Sequence, residues 1–169
     1  MAEDVKERVL RYLTDAHAVE AGGLASLKDL AEVTDDADVR LIIDEHILVT
    51  QSQMSRLEAR ITSLGGDISR AKGAVNTVIS KGSILANLFH DREDQSTQDL
   101  IKTYALEHFE VGMYTALKSF ADSVNDYDTA QIADAILAEE QSTAERILRL
   151  IPQVAKRALI KTNVFPARS

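Results

Sequence analysis

Residues 100–121 read LIKTYALEHFEVGMYTALKSFA, and this stretch indicates the fold. Steps of three and four residues along it define one face of a helix, which carries Leu100, Thr103, Glu107, Glu110, Tyr114, Leu117 and Ala121. A helix buries such a row against neighbouring helices. Because Glu107 and Glu110 interrupt the row one turn apart, the stretch predicts one helix of a bundle that carries acid in its interior.

The rest of the chain repeats this spacing, and the strict alternation that is typical of strands is nowhere sustained. We therefore predict an all-α fold, an antiparallel four-helix bundle with a short helical insertion between the second and third helices. The predicted helices span about 3–33, 37–64, 97–124 and 129–159, and the insertion spans about 68–90.

Short polar and glycine-containing segments set the predicted helix ends. Asp36 is the expected N-cap of the second helix and Ser96 that of the third, because their side chains can accept from free backbone N–H groups. Gly65 and Gly66 are expected to stop the second helix, since glycine reaches the left-handed conformation without a Cβ clash. A bend is expected near Pro152 in the fourth helix.

The composition restricts the class of protein. A chain of 169 residues can bury one core without disulfides, and it contains no cysteine. We predict a single domain over 1–169, ordered to about residue 161 and flexible over 162–169.

The net charge of -8 argues against nucleic acid or an anionic membrane as a partner. No apolar run approaches the roughly 20 residues that cross a bilayer. Since the charged N-terminus also lacks a signal-peptide pattern, a cytoplasmic protein is expected.

The other three predicted helices also have polar breaks in their apolar rows. The candidate metal ligands are His17 and Glu20 on the first helix, Glu45 and His46 on the second, Glu107 and Glu110 on the third, and Glu139 and Glu140 on the fourth. An ionised carboxylate is costly to bury alone, so such breaks are tolerable when they meet each other, water or a cation at one level. Several glutamates with one or two histidines match the ligands that bundles use for di-iron or di-manganese sites.

The same residues have plainer interpretations. His17 can be a hydrogen-bonded core histidine, and the paired glutamates of the third and fourth helices can be partly solvated acids that bind Lys or Arg. Tyr104 and Tyr114 are most simply core aromatics whose hydroxyls reach a partner. The coincidence of polar breaks on four helices favours the metal site over these alternatives.

Five segments carry a family resemblance: DAHAVE at 15–20, DEH at 44–46, SRLEARITSLGG at 55–66, YALEHFEVGMYTAL at 104–117 and LAEEQSTAERI at 137–147. Together they resemble bacterial ferritin-like proteins of the YciE/YciF type, in particular an actinobacterial-looking branch. The resemblance implies a ferritin-like four-helix bundle, often a homodimer, whose interior holds a pair of iron or manganese ions and whose role is linked to stress. The ligands that it implies are Glu20 or His17, His46 with Glu45, Glu107 with Glu110, and Glu140 with Glu139.

The chain departs from these relatives on the second helix. They commonly carry acids just after its histidine, where this chain has Leu48 and Val49, and some have histidine where this chain has Gln53. The resemblance therefore implies a site that has lost a bridging carboxylate, with partial or absent metal occupancy as one outcome.

Three hypotheses about function follow. The first is a ferritin-like protein that handles iron or peroxide under stress, with at most a metal-dependent oxidase or peroxidase-like activity. The second keeps the fold without the metal, as a structural or interaction protein, and Val49 at a ligand level favours it. The third is a partner-binding helical module that uses the 68–90 segment. No nucleophile elbow, phosphate-binding glycine loop or zinc-type histidine pair supports a hydrolase, a kinase or a zinc peptidase.

Overall fold

The computed structural model of the chain describes residues 2–69 and 94–161. Within these ranges the chain folds into four long helices and contains no strand. They are α1 (Glu3–Val33), α2 (Ala37–Ser63), α3 (Gln95–Ser123) and α4 (Tyr127–Lys161). The predicted all-α four-helix fold is thus confirmed. None of these helices is apolar over a stretch long enough to cross a membrane.

Neighbouring helices of the bundle run antiparallel. α1 and α2 form one hairpin, and α3 and α4 form the other. The hairpins pack with α1 on α3 and α2 on α4. Between α1 and α3, Tyr12 contacts Phe120 and Glu20 contacts Tyr114. Between α2 and α4, Asp38 contacts Arg157 and Glu45 contacts Arg146. In both pairs the residue numbers rise along one helix as they fall along the other, so the helices are antiparallel. This arrangement brings the middle of every helix to the same level.

Two apolar clusters form the core. One contains Val9, Leu13, Ala16, Leu57, Ile61, Tyr114, Leu117, Ala133 and Ile136. The other contains Leu27, Ala31, Val39, Ile43, Leu100, Ile147, Leu150 and Val154. On every helix a stretch of about three to four turns separates the members of the two clusters. The polar breaks predicted from the sequence fall in these stretches, so they share one level of the bundle.

The helix ends agree with most of the predicted capping. The Asp36 carboxylate accepts hydrogen bonds from two backbone amides of the first turn of α2, at 3.1 and 3.3 Å. Gly65 follows α2 in the left-handed region, with φ of 73°. The prediction of Ser96 as an N-cap is wrong, because α3 already begins at Gln95. α4 continues as one helix through Pro152, and the bend expected there stays a prediction.

Two predictions concern parts of the chain outside the described residues. The insertion predicted at 68–90 is described only at residues 68 and 69, which are helical. The tail at 162–169 lies entirely outside the described ranges.

Candidate metal centre

A layer of buried acid and imidazole groups lies between the two apolar clusters. Five of the eight predicted ligands meet in this polar layer, and each is at most 5% exposed: Glu20, His46, Glu107, Glu110 and Glu140. Every helix contributes at least one of them, because each helix turns the polar break of its row inward. The carboxyl groups are close enough to raise one another's pKa. The predicted convergence at one level is therefore what the fold produces.

Three of these side chains form a compact set of potential ligands. His46, Glu107 and Glu140 each offer one nitrogen or oxygen atom, and these atoms lie within 4.8 Å of one another. His46 Nε2 is 3.5 Å from Glu107 Oε2. In the described part of the chain, no other group of three or more His, Cys, Asp or Glu side chains meets this spacing. Ligand atoms at such separations can surround one cation at typical metal–ligand distances of about 2.0–2.2 Å.

Several polar atoms of the set lack hydrogen-bond partners among the described residues. They are both carboxylate oxygens of Glu107, Oε2 of Glu140 and Nδ1 of His46. The carboxyl groups of Glu107 and Glu140 can bond to each other only when one of them is protonated, since ionised carboxylates only accept. Buried polar atoms without partners are rare in folded proteins. The side chains present therefore fit a metal ion, which would satisfy the free oxygens.

Burial sets the protonation of the layer. It raises the pKa of Glu107 to about 11 and that of Glu20 to about 8, and the neighbouring carboxylates add to the shift in both cases. The pKa of Glu110 is raised well above its usual value for the same two reasons. Burial, with the nearby positive charge of Arg146, lowers the pKa of His46 to about 4. At neutral pH the layer thus holds a neutral imidazole, the form that binds metals, and carboxyl groups that require a proton or a cation.

Tyr114 completes the layer beside Glu20. Its hydroxyl is fully buried and donates a hydrogen bond to Glu20 Oε1 at 2.5 Å. The bond opposes the effect of burial on the pKa of Glu20, because it stabilises the ionised carboxylate. The expectation that this hydroxyl reaches a buried partner is confirmed.

A chain of polar contacts links the layer to the surface. The Gln53 amide donates to Glu140 inside the bundle and to Glu139 at 3.1 Å. Glu139 also accepts from the Arg56 guanidinium at 2.5 Å, and both of these side chains are about one third exposed. We call Gln53, Arg56 and Glu139 the amide–guanidinium link. The resemblance indicates position 53 as one where some relatives have histidine, but no signal in the sequence indicates that Arg56 binds an acid of α4.

The buried row of α2 passes through Thr50. Thr50 is buried, whereas Val49 is only half-buried. The placement of Val49 at a ligand level is therefore wrong by one residue, because the row steps from His46 by four residues and then by three to Gln53. The position that could have carried a bridging acid holds a threonine.

Three of the eight predicted ligands, His17, Glu45 and Glu139, do not lie in the polar layer. His17 is buried, but its Nε2 pairs with Glu58 Oε1 at 3.0 Å, as expected for a hydrogen-bonded core histidine. Glu45 is nearly half exposed and pairs with Arg146 across the α2–α4 contact. Glu139 lies at the outer end of the amide–guanidinium link. Glu58 had not been recognised from the sequence, because its partner is 41 residues away along the chain.

Comparisons with known proteins agree with this architecture. A family model described as a domain of unknown function (DUF892) matches residues 4–160. A crystal structure of a protein from Xanthomonas campestris pv. campestris is 23% identical, with a TM-score of 0.78 over 95% of this chain and 99% of that chain. The Escherichia coli stress protein YciF is 18% identical, with a TM-score of 0.76 over 92% of this chain and 99% of its own.

A third similar structure bears on the class of bundle. It is described as ferritin-like, diiron-carboxylate proteins from Bacillus anthracis, and it is 18% identical with a TM-score of 0.68. The alignment covers 89% of this chain and 99% of that chain. At these identities the likeness establishes the fold, a ferritin-like helical bundle.

Proposed function

We propose that this chain, which belongs to the DUF892 family, is a metal-binding protein that holds iron or manganese in the polar layer. Membership of the family confirms the resemblance to ferritin-like proteins of the YciE/YciF type. The proposed ligands are His46, Glu107 and Glu140, with Glu20 and Glu110 beside them to accept protons or to bind the metal through water.

The observation that carries the proposal is the set of buried ligand atoms without partners around His46, Glu107 and Glu140. A protein that buries four carboxyl groups together must either keep them protonated or neutralise them with a cation. A divalent ion would satisfy the free oxygens of Glu107 and Glu140 and one nitrogen of His46 at once. In a metal-free layer a proton shared by Glu107 and Glu140 pairs only some of these atoms, and Nδ1 of His46 still lacks a partner.

The donor set favours particular metals. Oxygen-rich ligands with one imidazole suit manganese(II) and iron(II), and the chain has no cysteine thiolate to attract softer ions. When bound, such an ion supplies one-electron redox chemistry toward dioxygen or peroxide. The protein's part is to present a neutral imidazole, to hold Glu20 through Tyr114 and to hold Glu140 through Gln53.

The descriptions of the structural neighbours support a role of the same kind. One is described as a stress protein and another as diiron-carboxylate proteins. We extend the proposal to stress-related handling of iron or peroxide in the cytoplasm by a homodimer. This wider role rests on analogy with those neighbours, whereas the metal site rests on the residues of this chain.

The test is metal content after expression in medium supplemented with iron or manganese. We expect near-stoichiometric metal in the purified protein and in Glu45→Gln, which alters a nearly half-exposed acid that pairs with Arg146. Glu107→Gln should lose most of the metal, because the amide cannot replace an anionic ligand. Glutamine resembles the protonated acid in shape, so we expect this variant to fold. Equal metal content in both variants would contradict the proposal.

The second candidate is a metal-free structural or interaction protein. Thr50 and Gln53 favour it, because both are buried neutral side chains on the face of α2 that carries the ligand His46. A metal bound only to the folded state must raise the melting temperature. If added manganese(II), iron(II) and chelator all leave the melting temperature unchanged, the metal-free candidate is the better one.

A further inference from the structure

We infer that the polar layer takes a single divalent ion, and that the amide–guanidinium link occupies the half of the layer in which a second ion would lie. The inference rests on the proposed function, because it specifies how many ions that same site binds and which side chains set the number.

Bundles that hold two metal ions follow a recurring ligand scheme. Two helices each supply one Glu, and the other two each supply a Glu-x-x-His pair that projects inward. In this chain α1 supplies one buried acid to the layer, Glu20, and α3 supplies two, Glu107 and Glu110. The positions that correspond to the Glu-x-x-His pairs hold Glu140 and Thr143 on α4 and Thr50 and Gln53 on α2, all of them buried. The layer therefore has acids from α1, α3 and α4 but none from α2, and neither histidine of the Glu-x-x-His pairs is present.

One half of the layer has a substitute for its missing histidine. His46 lies one turn before Thr50 on α2, and its Nε2 is 3.5 Å from Glu107 Oε2. His46, Glu107 and Glu140 form the three-ligand set, whose ligand atoms lie within 4.8 Å of one another. This half combines an imidazole with two carboxylates, which is sufficient for one ion with water in the remaining positions.

The other half of the layer contains Glu20 and Glu110, and protein donors already bind Glu20 and Glu140 there. Tyr114 donates to Glu20 Oε1, and the Gln53 amide NH₂ group donates to both Glu140 and Glu139. The amide cannot turn its oxygen toward these two groups without placing it against carboxylate oxygens. The donor NH₂ group repels a cation on the side of Glu140 and Glu139, where a histidine nitrogen would attract one, whereas the amide oxygen Oε1 bonds to neither acid and has no partner among the described residues.

A fixed positive charge stands beside this half as well. The Arg56 guanidinium binds Glu139 at 2.5 Å, and its charge partly opposes the rise that burial causes in the pKa of Glu20 and of Glu140. Part of the negative charge that a second ion would neutralise is therefore balanced permanently by the protein. A second divalent ion would have to approach against this charge, of which water at the one-third exposed Arg56 side chain screens a part.

The first experiment counts ions. The purified chain is stripped with chelator, saturated with manganese(II) and measured by elemental analysis or by titration calorimetry. We expect one ion per chain, and two in the double variant Thr50→Glu/Gln53→His, which restores the Glu-x-x-His pair on α2. Two ions in the unaltered chain would overturn the inference and leave the proposed function intact. No bound ion would overturn both. A folded double variant that still binds one ion would overturn the role given to Thr50 and Gln53.

The second experiment tests the guanidinium and does not depend on the double variant folding. Arg56→Met removes the positive charge, so manganese(II) should bind the remaining site about tenfold more tightly. The matched control is Arg149→Met, because Arg149 pairs on the surface with Glu145 and both side chains are about 70% exposed. The control should keep the affinity of the unaltered chain. Unchanged or weaker binding by Arg56→Met would overturn the proposed role of its charge.

Discussion

The hydroxyl of Tyr114 lies 2.5 Å from Glu20 Oε1, and this bond joins α3 to α1 inside the bundle. Tyr114 also belongs to one of the two apolar clusters, so a single side chain connects the apolar core to the polar layer. Removal of the hydroxyl leaves a buried carboxyl oxygen without its donor, which costs about 1–2 kcal/mol.

Tyr114→Phe should therefore lower the melting temperature of the metal-free protein by about 4 °C, since 1 kcal/mol corresponds to about 2–4 °C in a chain of this size. Thermal denaturation followed by circular dichroism measures the change. Tyr12→Phe is the control, because the Tyr12 ring packs on Phe120 at the partly exposed edge of the bundle. Equal melting temperatures for the two variants would show that the buried bond contributes little.

The metal-free protein should become less stable as the pH rises from 7 to 8. In the unfolded chain the glutamates are already ionised there, with pKa values near 4.5, whereas the folded protein keeps protons on Glu107, with pKa about 11, and partly on Glu20, with pKa about 8. The folded state binds more protons, so the free energy of unfolding falls with rising pH. His46 is neutral in the folded protein, because its pKa is lowered to about 4 there, and in the unfolded chain, with a pKa of 6.5, only a minority of it is protonated at pH 7, so it opposes this trend only weakly.

We expect a loss of about 1–2 kcal/mol per pH unit, or about 4 °C, when melting is followed in chelator at pH 7.0, 7.5 and 8.0. Glu107→Gln should flatten this dependence, because it removes a group that keeps its proton in the folded protein throughout this pH range. Saturating manganese(II) should also reduce it, since the ion replaces protons in the layer. A melting temperature that rises between pH 7 and 8 in chelator would contradict the raised pKa values.

His46 and His108 form a matched pair for testing the imidazole ligand. His46 is buried beside Glu107, whereas His108 is exposed and its ring packs on Tyr104. His46→Gln should weaken manganese(II) binding at least tenfold, because changes to groups that only support ligands already cost about 10–100-fold. His108→Gln should bind like the unaltered chain. Titration calorimetry gives both constants, and equal values would remove His46 from the ligand set.

The sequence is sufficient to predict the four helices and most of the residues of the polar layer. Helix rows depend on local spacing, and an acid in an apolar row has few destinations other than the interior, so Glu20, Glu107, Glu110 and Glu140 could be predicted to meet. The prediction for the α2 row is wrong by one residue at Val49, because a step of three from His46 reaches the apolar Val49, whereas the step of four that the structure takes reaches the polar Thr50. Only the packing of α2 on its neighbours selects Thr50.

Contacts across the bundle were harder to predict than positions along a helix. Arg56 and Glu139 are 83 residues apart, and the rotation and relative shift of α2 and α4 decide whether they meet. The same holds for His17 and Glu58 on α1 and α2. Long charged side chains at the edges of a helix have several possible partners in sequence, so the pairing that forms is a property of the assembled bundle.

Two glycines offer a test of the packing that does not involve metal. A Cβ atom at Gly66 would lie 2.7 Å from Leu10 Cδ2 and 2.8 Å from Ile61 Cγ2, so Gly66→Ala must shift these side chains or the backbone that carries them. A Cβ at Gly112, within α3, would meet nothing within 4 Å. Gly112→Ala should therefore stabilise the protein by about 0.5–1 kcal/mol through helix propensity, whereas Gly66→Ala should destabilise it by about 1–3 kcal/mol through overpacking. Urea denaturation of the two variants measures both changes. We expect changes of opposite sign in the free energy of unfolding, because the same added methyl group meets free space at Gly112 and packed side chains at Gly66. A stabilised Gly66→Ala would show that α1 and the end of α2 are not in close contact.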